Sequence, residues 1–175
     1  MSGQVHLYSG DGKGKTSAAV GLALRAKGHG FRVWFVQFLK SGQSSELKRM
    51  ETLGIHVISG QSIDKFSIAM SAEEKEAVRK ENNERLAYVR NMADAGEIDL
   101  LVLDEAIGTA FGAGLLDVDQ LMDFVEHKPE ALELVLTGRD PSKKLADLVD
   151  YHSEIRMVRH PYVTKGLTSR PGIEY

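Results

Sequence analysis

An α/β fold in three layers, with helices on both faces of a mostly parallel sheet, is predicted by three features of this sequence. Short apolar runs alternate with helix-patterned segments along the chain, the order that builds βαβ units. Runs 98–103 and 132–137 are dominated by Leu, Ile and Val, as strands buried on both faces require. The first run passes straight into a glycine-rich loop and then a helix. The 175 residues read as one domain, 1–175, without repeat, linker or low-complexity stretch. That length buries about 70% of the surface the unfolded chain exposes.

The first strand spans residues 5–8. Ala18, Ala19, Leu22, Ala23 and Ala26 then recur at helical spacing, and Gly28 and Gly30 stop that helix. Residues 31–39 are β-branched and aromatic, too apolar for a half-exposed strand, and belong inside the sheet. A short helix at 46–53 and a strand at 55–58 follow, while 59–70 shows no period and reads as a loop. Ser71 and Glu74 form a capping box that opens a long helix to about residue 95, ended by Gly96. Its charged first half is a solvated face, with Val78, Leu86, Val89 and Met92 turned inward. Strand 98–103 ends in Asp104-Glu105. Asp117 caps a helix whose Val118, Leu121, Met122 and Val125 keep the i, i+3, i+4, i+7 spacing. Strand 132–137 is followed by Gly138-Arg139 and a helix started by Pro141. A last strand at 154–158 leads into His160-Pro161-Tyr162 and an irregular tail.

Hydrophobic residues make up 42% of the chain and charged residues 27%, an ordinary balance for a soluble globular protein. Twenty-two basic against 25 acidic residues give a formal charge of −3, which argues against a nucleic-acid partner held by net positive charge. With no cysteine, disulfides, thiolate metal sites and a cysteine nucleophile are excluded. The first residues lack the basic and apolar regions of a signal peptide. No apolar run approaches the roughly 20 residues that span a bilayer. The expectation is a cytoplasmic protein with no membrane partner.

The strongest chemical signal is Gly10-Asp11-Gly12-Lys13-Gly14-Lys15-Thr16-Ser17, between the first strand and first helix. Backbone N–H groups of such a loop curl around phosphate oxygens, and the helix adds its positive end. Gly10, Gly12 and Gly14 permit the close approach and unusual backbone angles. Lys15 reaches the outer phosphates and the Thr16 hydroxyl ligates magnesium. Ser9 stands where the strict phosphate-loop pattern has its first glycine. The second signal is Leu100-Leu101-Val102-Leu103-Asp104-Glu105: ligands sit at the carboxyl ends of such strands. Asp104 is placed there to hold Mg2+, and Glu105 to join the metal shell or polarise a nucleophile. Thr137 and Arg139 end the next strand on the same edge, where an arginine can grip a phosphate. Gln37 and Lys40 end the second strand there too, with ordinary surface roles equally compatible. The six histidines show no metal-ligand spacing. Magnesium nucleotide binding on a P-loop NTPase fold of RecA-like type is the reading.

These blocks resemble a known family. The glycine loop, then Phe35-Val36-Gln37-Phe38-Leu39-Lys40, Val102-Leu103-Asp104-Glu105, Leu136-Thr137-Gly138-Arg139, Ala146-Asp147, His160-Pro161-Tyr162 and Gly172-Ile173-Glu174-Tyr175 occur in the order seen in P-loop ATP:corrinoid adenosyltransferases. The non-glycine first position of the loop is itself a feature of that family. The resemblance implies transfer of the adenosyl group of ATP to the cobalt(I) of a reduced corrinoid, with triphosphate leaving, in adenosylcobalamin synthesis or salvage. The substrate then supplies the nucleophile, and the protein's tasks are positioning and charge stabilisation. Lys15 and Glu105 become the catalytic candidates, the loop with Arg139 the nucleotide site, and Thr16, Asp104 and Glu105 the magnesium site. Phe66 and His160 fall on the corrinoid side. The family's phenylalanine–tryptophan pair after the third strand is replaced here by Phe66, Ser67 and Ile68, and the only tryptophan is Trp34. Where the family continues the acidic pair with leucine or isoleucine and a tyrosine, this chain has Ala106-Ile107-Gly108-Thr109-Ala110-Phe111. A homodimer, a cobalamin- or cobinamide-type substrate and a reductant protein are implied by the resemblance alone. A regulatory nucleotide-binding module and a phosphohydrolase are the rival readings, separable by product.

Overall fold

The computed structural model describes residues 2–39, 44–60, 65 and 67–173. Six strands form one sheet in the order β3-β2-β4-β5-β1-β6: β1 (Val5–Ser9), β2 (Val33–Gln37), β3 (His56–Ile58), β4 (Leu100–Asp104), β5 (Glu133–Gly138) and β6 (Tyr151–Glu154). Every pairing between them is parallel. The carboxyl ends therefore share one edge, where ligands bind in such sheets.

Strand periodicity splits the core in two. Phe35, Leu100, Val102 and Val135 face α1 (Lys15–Gly28) and α2 (Ser45–Thr52), against Ala19, Ala23, Leu47 and Met50. Val36, Leu101, Leu103 and Leu136 face the other way, onto Leu86 and Val89 of α3 (Ala72–Asp94), Leu121 and Phe124 of α4 (Val118–Glu126), and Leu145 of α5 (Lys143–Leu148). Residues alternating along one strand serve opposite layers, which gives the three-layer architecture. β4 is buried at all five positions because it lies between β2 and β5 under both layers.

The long helix begins on the capping box: the Ser71 hydroxyl accepts from Glu74 N–H and the Glu74 carboxylate accepts from Ser71 N–H. Asp117 caps α4 by accepting from the Asp119 and Gln120 amides, both at 3.0 Å.

Four expectations need correction. The helix assigned to a Pro141 start is α5, capped by Ser142, whose hydroxyl accepts from Leu145 N–H at 3.2 Å. An oxygen that satisfies an orphan amide outweighs a preset φ. The last strand is Tyr151–Glu154 rather than 154–158, because pairing with His6–Ser9 of β1 sets its limits. The tail is not wholly irregular: α6 (Pro161–Lys165) starts on His160, whose Nδ1 accepts from Tyr162 N–H at 3.2 Å, and ends at Gly166 with φ 63°. The loop expected at 59–70 contains a short 3-10 turn at Ser67–Ala69. Among the described residues no helix is long and apolar enough to cross a membrane.

Candidate nucleotide-binding site

A cavity of about 570 Å³ opens at the carboxyl edge of the sheet, around the start of α1. Asp11, Gly12, Lys13, Gly14, Lys15, Thr16 and Ser17 line it, and Glu105, Arg139 and His160 reach it from other elements. The topology explains the convergence: β1, β4 and β5 are adjacent, so the residues following each strand meet at one point.

α1 starts at Gly14 with no side-chain cap and no acidic residue in its first turn. Its first amides thus lack the partner that helix termini normally recruit from a side chain, and they lie against the cavity. An anion is the natural complement. Three cations, Lys13, Lys15 and Arg139, line the same space. Lys15 is only 7% exposed, and its ammonium donates to the carbonyls of Gly10 at 2.7 Å and Gly12 at 2.9 Å, holding the loop curled. Burial pushes its pKa below the ordinary lysine value, opposed by the nearby Glu105 carboxylate.

The glycines divide into two kinds. At Gly14, φ is 126° and an added Cβ would meet nothing within 4 Å, so backbone conformation alone demands glycine there. At Gly10 and Gly12 a Cβ would collide with backbone, 2.4 Å from Ile155 O and 2.7 Å from Arg156 C. Gly12 N–H donates to Ile155 O at 2.8 Å, and Met157 N–H donates to the Asp11 carboxylate at 2.9 Å. The close approach that Gly10 and Gly12 permit is therefore to the chain's own segment 155–157, where a phosphate was the expected neighbour. Ser9, the departure from the strict pattern, is buried, its hydroxyl 2.8 Å from His152 Nε2 of β6.

Asp104 is fully buried and held from both sides. Thr16 Oγ1 donates to its Oδ1 at 2.9 Å and Thr137 Oγ1 to the same oxygen at 2.7 Å, while Gln37 Nε2 donates to Oδ2 at 3.0 Å. Thr16, Asp104 and Thr137 are thus brought together as a unit. Glu105 has φ 60°, a region costing a non-glycine residue about 1–3 kcal/mol. Its N–H donates to Thr137 Oγ1 at 2.9 Å, and its carbonyl accepts from Thr109 Oγ1 at 2.6 Å. This turn sends its side chain to the cavity. Oxygen donors with neither sulfur nor imidazole, on Thr16, Asp104 and Glu105, suit a hard cation such as Mg2+.

Arg139 is exposed at the cavity rim and His160 sits on the same wall as Ile173. Phe66 and Lys40 lie outside the described residues, as do Glu174 and Tyr175. Gln37, compatible from sequence with a surface role, is instead buried against Asp104. Sequence reasoning missed Ser45 and Glu46, which line the cavity from the start of α2, and the docked segment 155–157. A polar residue closing the apolar run 33–36 beside an acid-ended strand was the available signal for Gln37; nothing local marked the others.

The family model for ATP:corrinoid adenosyltransferase BtuR/CobO/CobP matches residues 1–175. An uncharacterized protein of Nostoc sp. is 31% identical over 99% of this chain, which spans 48% of that relative, about half its length. A corrinoid adenosyltransferase of Pseudomonas aeruginosa is 29% identical over 99% of this chain and 84% of its own, and one of Escherichia coli 27% identical over 99% and 86%. Among solved structures, a KaiC-like protein of Pyrococcus horikoshii superposes with a TM-score of 0.52 at 15% identity, covering 89% of this chain and 73% of its own, a likeness of fold. With the whole chain matched by one family model, this protein belongs to the ATP:corrinoid adenosyltransferase family.

Proposed function

We propose that this chain transfers the 5′-deoxyadenosyl group of ATP to the cobalt(I) of a reduced corrinoid. The cobalt electron pair forms the bond to the ribose 5′ carbon as the C5′–O bond breaks, and triphosphate leaves with the pair of the broken C–O bond. The observation that carries the reading is the uncapped start of α1 facing a cavity lined by Lys13, Lys15 and Arg139, in a chain matched throughout by the family model.

Each residue's part follows from its chemistry. Amides at the start of α1 and the Lys15 ammonium bind the triphosphate and stabilise the charge that grows on it as the C–O bond breaks. Arg139 adds a second cation from the end of β5. Thr16, Asp104 and Glu105 would hold Mg2+, which supplies further charge neutralisation to the leaving group. Neither a serine nor a lysine nucleophile is needed, because the corrinoid brings its own. His160, which lines the same cavity, falls on the corrinoid side of this reading. A homodimer and a separate electron donor belong to the same reading.

The test is an anaerobic reaction with Mg-ATP and chemically reduced cob(I)alamin, then cobinamide, following the cobalt spectrum and the phosphate product together. An alkylcobalt spectrum with one triphosphate per corrinoid is expected. Orthophosphate with an unchanged cobalt spectrum would assign the site to phosphohydrolysis, with Glu105 as base. ATP binding without product for either corrinoid would assign it to regulation.

A further inference from the structure

Gln37 closes β2 directly beside Asp104, the two being register partners across β2 and β4. Its side chain is fully buried, and among the described residues its Oε1 has no hydrogen-bond partner. A buried acceptor without a donor destabilises the fold, whereas an apolar residue of the same shape at that position would not. The amide cannot simply be turned over, since that would set Oε1 against the Asp104 carboxylate and lose the 3.0 Å bond from Nε2 to Oδ2. Among the described residues the Gln37 side chain thus leaves one polar atom unpartnered and makes its one bond to Asp104. Such an exception in a native core calls for a functional explanation.

The backbone around Gln37 is fixed as well. Its carbonyl accepts from the Arg85 guanidinium at 3.3 Å, and the next amide, Phe38 N–H, donates to Asp104 O at 2.9 Å. Arg85 is itself held by Glu81 at 2.9 Å and the Gly60 carbonyl at 2.5 Å. Gln37 is thus a braced donor aimed at a single oxygen of Asp104.

We infer that Gln37 is a positioning residue for the nucleotide site, orienting the Asp104 carboxylate so that Oδ1 faces Thr16. Thr16 and Thr137 both donate to Oδ1, while Gln37 donates to Oδ2 from the neighbouring strand. Without it the carboxylate loses a restraint on its χ2, a broad and soft torsion, and its alignment on Thr16 is looser. The inference rests on the magnesium-nucleotide reading of Thr16 and Asp104, and not on the identity of the adenosyl acceptor.

The experiment is a titration of the full chain with a fluorescent methylanthraniloyl ATP, with and without Mg2+. In the wild type, Mg2+ tightens binding. Gln37→Met is expected to lower that Mg2+ enhancement by about tenfold, the size of a lost hydrogen bond to a charged group, with metal-free affinity unchanged. It is also expected to melt somewhat lower than the wild type, because the buried Asp104 carboxylate loses a donor, a cost that removal of the Gln37 Oε1 acceptor partly offsets. Gln37→Asn, which retains the amide but withdraws it by one methylene, loses the enhancement in the same way. Added to Asp104→Asn, Gln37→Met changes nothing further, as befits a residue acting through Asp104. A wild-type Mg2+ enhancement in Gln37→Met, or effects that add in the double variant, would overturn the inference. Nucleotide binding by the wild type without any Mg2+ enhancement would overturn the metal reading beneath it, and binding of no nucleotide at all would overturn the site.

Discussion

Residues 10–12 and 14–17 belong to one glycine-rich loop that borders the cavity along most of its length, yet the two halves are held differently. The first half is bonded to its own chain, with Gly12 N–H on the Ile155 carbonyl and Asp11 accepting from Met157. The second half opens α1 without a cap and borders the cavity. The first half also buckles segment 155–157 to the sheet; the second offers the uncapped helix start to an anion. A glycine in such a loop therefore does not by itself report a phosphate. What a Cβ would strike decides the matter: backbone at Gly10 and Gly12, nothing at Gly14.

The largest effect that would test this division is at Lys15, which sits in the second half and bonds to the carbonyls of Gly10 and Gly12 in the first. Lys15→Ala is expected to cut adenosyl transfer by at least about 100-fold, the scale of losing a charge-stabilising donor, while circular dichroism keeps the wild-type spectrum. Wild-type-like turnover would remove the loop from the chemistry. Next comes Gly12→Ala, whose Cβ would sit 2.7 Å from Arg156 C. Urea unfolding is expected to show a loss of roughly 1–3 kcal/mol, as for other overpacked sites, with early proteolysis after β6. Smaller again, Asp11→Ala removes one acceptor from the exposed Met157 amide. It should cost about 1 kcal/mol and leave ATP affinity within about twofold of wild type. A large loss of affinity there would return Asp11 to the nucleotide.

The sequence made the anion half legible because its signals are contiguous: strand, glycines, Lys15, Thr16 and helix follow one another. Asp104 was legible for a similar reason, at the end of an apolar run. Segment 155–157 was not, because its partners lie about 145 positions earlier and β6 carries no burial pattern; all four of its residues are exposed. Apolar Ile155, Met157 and Val158 drew the expected strand past its true end, where pairing with β1 stops. Gln37 was seen at the correct edge but not its burial, which depends on β4 lying beside β2.

Residue-resolved amide hydrogen exchange, with and without Mg-ATP, reads both halves of the loop at once. The Gly12 amide should be protected already without nucleotide, through its bond to Ile155 O, and change little on binding. The amides of Lys15, Thr16 and Ser17 should gain protection when Mg-ATP is added. A Gly12 amide that exchanges freely alone and becomes protected only with nucleotide would contradict the division and restore the whole loop to the phosphates.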